Sequence, residues 1–335
     1  MTDPSLGKID SEVFREIIYP KLGASRDDVA LGPRHGVDFG VLDIGDQAVV
    51  IATDPLSILP SLGLERAGRL ALEIVLTDVA VSGIPPTHLA VSLSLPPSFT
   101  DEDLAAMWTG LAEHAESLGV SIVSGHTARY PGIDSSWVGG ATVLGVGRHA
   151  DVIRPDGATP GDELVITTGP GVEFAGLLAT LYPESLGLPA EPVATAQERV
   201  EDIAAVRDAV TAGAVGGVSA MHDATEGGLL GGMVEMAQGA GVRFDIDSER
   251  VPLAPGVAAV CEAVAVDPWH VTSAGTLILA VADGHASSVV DALRAEGTTT
   301  ARIGTVSSGS GVFVDGTAHS PPARDPAWTV FDQLE

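Results

Sequence analysis

Apolar residues recur at helical spacing in some stretches of the chain and alternate with polar ones in others, so helices and strands are interleaved along it. Residues 10–22 carry Val13, Phe14, Ile17 and Ile18 on one side and read as a first helix. Residues 37–44 and 47–53 read as two strands joined by a tight hairpin at Gly45-Asp46. Residues 64–81 form a long helical pattern, with Leu64, Ala67, Ala71, Ile74 and Val75 on one stripe. Residues 88–95 alternate as a strand. Residues 100–118 suit a helix capped by Thr100, with Asp101, Glu102 and Asp103 in its first turn. A short buried strand is expected at 120–123, and a glycine-weakened one at 137–147.

Pro155, Gly157, Pro160 and Gly161 cluster within residues 151–161, where a domain boundary is expected. Beyond it the alternation resumes. Strands are expected at 164–168, 218–221, 242–246, 275–280 and 302–306. Helices are expected at 173–181, 195–212, near 256–265 and near 285–295. This mixture predicts two α+β domains and not one regular doubly wound sheet.

Composition narrows the function classes. The 335 residues are 45% hydrophobic, with a formal net charge of -28 from 45 acidic and 17 basic residues. Lys8 and Lys21 are the lysines; every other cation is arginine. A disordered acidic chain would lack this apolar content, and no basic patch exists to meet nucleic-acid phosphates. An acidic surface almost free of lysine suggests a halophile. One cysteine, Cys261, excludes an intrachain disulfide and, with the polar N-terminus, favours the cytoplasm. The longest uncharged stretch, residues 79–100, contains four prolines and is no membrane helix.

The most informative stretch is Met221-His222-Asp223-Ala224-Thr225-Glu226-Gly227-Gly228-Leu229. It sets an acid and a hydroxyl just before a glycine-rich helix start. Free N–H groups and a partial positive charge at such a start suit a phosphate, and Asp223 could hold Mg²⁺. The same residues equally suit a capped helix packed against a sheet. Acids also recur at element ends: Asp28 before a strand, Asp54 after one, Asp78 on the apolar stripe of the long helix. A carboxylate on that stripe needs an arginine, a cap or a metal ion, and Mg²⁺ favours a few carboxylates with phosphate oxygens. Gly125-His126-Thr127 is either a ligand loop, with His126 as an acid or base, or a turn with a backbone-bonded histidine. There is no Walker-type loop, no G-x-G-x-x-G after a strand and no H-E-x-x-H. The nine histidines are scattered and suggest no zinc site; His222, His270 and His285 read as structural or surface residues.

These motifs, in this order, resemble the superfamily of aminoimidazole ribonucleotide (AIR) synthetase, selenophosphate synthetase, thiamine-monophosphate kinase and the hydrogenase expression/formation proteins. The resemblance spans nearly the whole chain. It rests on Asp27-Asp28-Val29-Ala30, Thr53-Asp54-Pro55, Thr77-Asp78-Val79-Ala80-Val81-Ser82-Gly83-Ile84-Pro85, Gly125-His126-Thr127 and the 221–229 stretch. Pro252-Leu253, Val260-Cys261-Glu262, Asp267-Pro268-Trp269 and Gly275-Thr276-Leu277 are most similar to the hydrogenase-maturation branch. The resemblance implies an α+β, two-domain AIR-synthase-like fold. Residues 1–150 would bind ATP and Mg²⁺ and form a homodimer through their strands; residues 151–335 would form the C-terminal α+β domain. It implies Asp28, Asp54 and Asp78 as metal ligands, and Thr53, Gly125, Thr127, Asp223, Thr225, Gly227 and Gly228 at the cofactor. His126 stands as the catalytic candidate, acting on a small-molecule acceptor whose identity is unassigned.

The chain departs from that branch at several places. No cysteine stands in Phe331-Asp332-Gln333-Leu334-Glu335, so the thiocyanate-forming reaction is not expected by that route. Ala128 replaces a lysine, Ala274 a glutamate, and Glu226 an arginine. His126 replaces an acid of the maturation branch, in a form similar to selenophosphate synthetases, but their reactive N-terminal cysteine or selenocysteine and its lysine are missing. The reading is an ATP- and Mg²⁺-dependent phosphoryl-transfer or ligase-like enzyme. A non-catalytic nucleotide-binding paralogue and a thiamine-monophosphate kinase stand as alternatives.

Overall fold

The computed structural model describes residues 7, 9, 11–134, 136–321 and 324–334. The expected first helix is broken: α1 (Ser11–Val13) passes into a π turn over Phe14–Ile18 and a 3₁₀ turn over Tyr19–Lys21. Pro20 has no N–H with which to continue an α-helix, and Val13, Ile17 and Ile18 stay exposed. Residue 10, where that expectation began, lies outside the described residues.

Six strands then form one sheet: β1 (Val29–Leu31), β2 (Gly40–Ile44), β3 (Gln47–Ser57), β4 (Pro86–Leu95), β5 (Ser121–Arg129) and β6 (Trp137–Gly147). Their order is β1-β2-β3-β6-β4-β5. The β2–β3 hairpin turns at Gly45-Asp46, as its two-residue loop requires. The two-residue period of β3 turns Ala48, Val50, Ala52 and Leu56 into the core and leaves Thr53 and Pro55 outward. Helices α2 (Leu64–Ala80) and α3 (Asp101–Ser117) pack on the core side, burying Val75, Leu76, Val79, Met107 and Leu111. Thr100 Oγ1 accepts from the Asp103 N–H at 3.0 Å, and the Asp103 carboxylate accepts from the Thr100 N–H at 2.9 Å. Such a capping box contributes about 1 kcal/mol. Because α3 crosses over between them, β4 and β5 run parallel.

The buried strand expected at 120–123 is corrected. β5 is longer, lies at the sheet edge paired with β4, and exposes Val123 at 57%.

The second half opens with β7 (Glu163–Thr167), α4 (Val172–Leu181), α5 (Ala190–Gln197), α6 (Val206–Val215), β8 (Val218–Asp223), α7 (Gly228–Ala240) and β9 (Arg243–Ile246). It closes with α8 (Val257–Ala263), β10 (Leu277–Val281), α9 (Ala286–Ala295), β11 (Thr300–Ser307), β12 (Gly311–Val314), β13 (Thr317–His319) and α10 (Pro326–Leu334). Seven strands form a sheet in the order β13-β12-β9-β11-β7-β10-β8. The single helix expected over 195–212 is instead α5, a 3₁₀ turn over Glu198–Ile203, and α6. Tertiary contacts break it. The turn is pressed against α4 at Gly176, where an added Cβ would stand 2.6 Å from Val200 N, and Arg66 of α2 holds Glu201 at 3.0 Å.

The largest core cluster draws on both halves, joining Leu72 and Leu76 of α2 to Val206 and Ala209 of α6 and to Leu277 and Leu279 of β10. Each fully buried leucine there contributes roughly 1.5–3 kcal/mol. Among the described residues, no helix is long and apolar enough to cross a membrane.

Candidate functional site

β8 is the edge strand of the second sheet, and its last residue, Asp223, pairs with Leu277 of β10. The chain then turns into α7. Both turn glycines take left-handed backbone, Gly227 at φ 88° and Gly228 at φ 66°. An added Cβ at Gly228 would meet the Val271 carbonyl oxygen at 2.6 Å and that of Trp269 at 2.7 Å, so close packing demands this glycine. Half-buried Thr225 accepts the Gly228 N–H through its backbone oxygen at 2.9 Å.

The helix start already meets an anion from its own chain. The Gly227 N–H donates to Asp325 Oδ2 at 2.9 Å, and Asp325 Oδ1 accepts from the Ala327 N–H at 2.8 Å. Burial pushes the Asp325 carboxyl up, and these N–H donors pull against that rise. Trp328 of α10 donates from Nε1 to Glu226 Oε1 at 3.1 Å. Behind the turn, half-buried Glu173 accepts from Thr272 Oγ1 at 2.5 Å and from the Ala274 N–H at 2.9 Å. Burial raises its pKa, with the Asp325 and Asp223 charges adding to the rise.

His222, beside Asp223, is almost wholly buried. Its Nε2 lies 3.0 Å from Glu235 Oε2, and its Nδ1 lies 3.3 Å from Asp223 Oδ1 and 3.4 Å from Asp38 Oδ2. Burial works against a charge on the ring. The hydrogen bonds to Asp223 and Glu235 and the Asp38 charge overcome it and hold the imidazolium well above the usual histidine range. The segment carrying Asp38 comes from the first half and docks on the second, where Arg34 Nη1 also reaches Asp156 Oδ2 at 3.1 Å.

The expected residues of the first half are more dispersed. Thr53 and Thr142 share a hydrogen bond at 3.0 Å on the outward face of the sheet. Asp54 lies on the inward register of β3, opposite Ala141. Asp78 is 8% exposed in the last turn of α2. Its neighbour Val79 lies over Gly145, the partner of Val50. Asp28 is paired with Arg26, whose Nε and Nη2 stand 2.8 and 2.6 Å from its carboxylate oxygens. That guanidinium holds the Asp28 carboxyl below the usual carboxylate range.

Through Asp43, Asp28 is level with Ala48, six residues along β3 from Asp54 and so roughly 20 Å away along the strand. The strand register thus sets Asp28 and Asp54 at different levels of the sheet. Gly125 and Thr127 lie in β5, opposite Val91 and Leu93. His126 between them is exposed, with Nε2 3.0 Å from the Tyr130 hydroxyl.

Among the described residues, the group of three His, Asp or Glu side chains whose ligand atoms lie within 4.8 Å of one another is Asp38, His222 and Asp223. Reading the sequence missed Asp38, Glu235, Glu173 and Asp325. None stands in a motif, and each meets its partners across the tertiary fold. Trp269-His270 and the 221–229 stretch were the nearest local signals.

Two family models match nearly end to end: the AIR synthase related protein N-terminal domain over residues 36–147, and its C-terminal domain over residues 159–316. The chain belongs to the AIR synthase-related family. Its relatives place it nearest to the hydrogenase expression/formation branch of that family. The AIR synthase-related chain is 30% identical to the hydrogenase expression/formation protein HupE of Azotobacter chroococcum, covering 89% of this chain and 87% of that one. A putative hydrogenase expression/formation protein of Methanocaldococcus jannaschii is 25% identical, covering 86% and 84%.

Among solved structures, HypE of E. coli matches with a TM-score of 0.71 and 28% identity, over 83% of this chain and 87% of that one. AaThiL complexed with AMPPCP and TMP shares the fold at a TM-score of 0.74 and 20% identity, covering 95% and 98%. So does the hydrogenase maturation protein HypE in complex with ATP, at 0.68 and 22%, covering 94% and 93%. The AIR synthase-related fold is thus the two-domain α+β architecture expected from the motifs.

Proposed function

We propose that this protein is an ATP- and Mg²⁺-dependent phosphoryl-transfer or ligase-like enzyme that activates an oxygen atom of a small-molecule acceptor. The observation that carries this reading is the β8–α7 turn. There a nearly buried Asp223, Thr225 and a glycine helix start stand together in a chain whose relatives include a protein solved with ATP. The donors suit the ligand: Asp54, Asp78 and Asp223 offer the hard oxygens that Mg²⁺ takes, and the α7 start offers N–H groups to a phosphate. When bound, ATP supplies the phosphoryl group and Mg²⁺ offsets its charge. In this reading Thr53, Gly125 and Thr127 lie on the nucleotide side. His126, hydrogen-bonded to Tyr130, moves a proton at the acceptor.

The outward face of the first sheet carries exposed Thr53, Val123, His126 and Trp137 and supports a homodimer formed through these strands. The acidic surface fits a cytoplasm of high salt.

Calorimetry with ATP and Mg²⁺ in high salt tests the reading. Expected are one nucleotide per chain and a raised melting temperature; no heat and no stabilisation with any nucleotide would overturn it. Asp78→Asn is expected to weaken ATP binding with little change in melting temperature. A marked drop in melting temperature would instead make Asp78 half of a buried charge pair.

A non-catalytic nucleotide-binding role is favoured by one observation, the Asp325 carboxylate on the Gly227 N–H. ATP binding without turnover across a panel of phosphate acceptors would establish it. Thiamine-monophosphate kinase activity draws on likeness of fold alone and is decided by direct assay.

A further inference from the structure

We propose that the groove between α9 and β11 binds a small molecule carrying a phosphate monoester, at a place separate from the β8–α7 turn. The groove has a volume of about 480 Å³ and is lined by Arg250, Arg294 and Arg302 together with Ser287, Val290 and Asp291. Small-molecule sites span roughly 300–1,000 Å³. In a chain with 45 acidic and 17 basic residues, three guanidinium groups on one groove invert the local charge.

The fold gathers these residues from separate elements. Ser287, Val290, Asp291 and Arg294 fall at i, i+3, i+4 and i+7 of α9, which is one helix face. Val289 and Leu293 of the same helix are buried in the core cluster that holds Val165 and Leu279. Arg302 of β11 lies opposite Val165, which lies opposite Leu279, so Arg302 stands on the sheet face that α9 covers. Arg250 ends the 3₁₀ turn that follows β9, the other neighbour of β11. In the sheet order β11 stands three strands from β8, about 14 Å across.

Each guanidinium is anchored along one edge. Arg294 donates from Nε at 3.2 Å and from Nη2 at 2.7 Å to the Thr300 carbonyl oxygen, so a carbonyl holds it and not a carboxylate. Arg302 donates from Nη2 to Ser287 Oγ at 2.6 Å, and its Nη1 stands 2.9 Å from Glu163 Oε2. Arg250 Nε stands 2.7 Å from Asp247 Oδ2. The Ser287 hydroxyl, used here as an acceptor, keeps its own proton for a ligand oxygen. Anchored guanidinium forks lose little freedom when an anion arrives.

The donor set selects the ligand. A carboxylate presents two oxygens and one charge, which a single fork satisfies. A phosphate monoester presents three free oxygens and nearly two charges, which suits three guanidinium groups and a hydroxyl. Val290 offers an apolar wall to the body of the ligand, and Asp291 an acceptor for one of its hydroxyl groups. The acidic surface around the groove repels a polymer of phosphates more than it does a single ester.

The test uses the full chain free of nucleotide, with a chelator present so that no divalent cation takes part. Ribose 5-phosphate, inorganic phosphate and succinate are titrated by calorimetry at matched ionic strength. Ribose 5-phosphate is expected to bind once per chain, inorganic phosphate more weakly, and succinate weakest. Arg294→Gln and Arg250→Gln, both at exposed side chains, are each expected to weaken binding about tenfold, the loss of one charge-assisted contact. Arg148→Gln, which removes the same charge at a distant surface ion pair, is expected to leave it unchanged. No binding of either phosphate to the parent chain would overturn the proposal. So would binding that Arg294→Gln and Arg250→Gln leave intact, or succinate binding as tightly as ribose 5-phosphate. Calorimetry with ATP and Mg²⁺ on the same variants is a separate measurement, and its success or failure leaves this result as it stands.

Discussion

Asp208 in α6 is a carboxylate that the fold holds against its preference for water. Burial pushes its pKa from 3.8 to about 6, with the Thr298 hydroxyl pulling it down and the charges of Glu73 and Glu296 adding to the rise. The folded chain therefore keeps this proton at a pH where the unfolded chain has lost it. The related stability is fully present below about pH 4 and is lost as pH rises through about 6. A shift of this size is on the order of 2–3 kcal/mol. Asp208→Asn keeps an acceptor for Thr298 and is expected to recover much of that stability at pH 7 and to flatten the pH dependence between 4 and 7. Urea unfolding at the two extremes measures it. Cys261 is a second case. Burial raises its thiol to about 12, and Asp267 and Glu262 add to the rise, so it is a buried apolar group and not a nucleophile. A thiol reagent is expected to label it only as the chain unfolds, on the same time course as loss of circular dichroism. At this scale the sequence showed what lies within one motif. Asp223, Thr225, Gly227 and Gly228 share a single turn and could be read together. Asp38 and Glu235 could not, because only the docking of one half on the other brings Asp38 to His222, and only the folding of α7 back along β8 brings Glu235 there.

Among the elements, the α7 start separates packing from binding most sharply. Gly228→Ala places a methyl against two carbonyl oxygens in left-handed backbone and is expected to cost about 2–5 kcal/mol, read from the denaturation midpoint. Asp325→Ala acts on the same turn in the opposite sense. It removes an N-cap-like acceptor, at a cost of about 1 kcal/mol, and frees the Gly227 N–H. ATP is then expected to bind more tightly, which isothermal titration would show; weaker binding would instead place Asp325 among the groups that support the nucleotide. Periodicity read most elements well, since α2, α3, β4, β6 and β7 are set by local apolar spacing. It failed where tertiary contacts override that spacing. The 3₁₀ turn over Glu198–Ile203 owes its place to Gly176 on another helix and to arginines of α2. β5 takes its length from pairing with β4, which a short apolar run did not announce.

Across the whole molecule, composition and architecture meet in the surface. A net charge of -28 spread over a well-packed core repels itself in dilute buffer. The screening length falls from about 10 Å at 0.1 M salt to about 3 Å at 1 M. The melting temperature is therefore expected to rise by several degrees between those concentrations, as scanning calorimetry would record, and a flat response would count against adaptation to brine. Because α2 of the first half and α6 and β10 of the second share one core, that transition is expected to be single, with the halves melting together. The contact between Trp137 and Trp328 extends this to the end of the chain. Their ring centroids lie 6.5 Å apart with the planes tilted by 32°, one indole on the first sheet and the other on α10. Two chromophores so close exchange excitation, so the molecule carries its own optical gauge: the near-ultraviolet signal of this pair would report, without any label, each time the final helix leaves its seat.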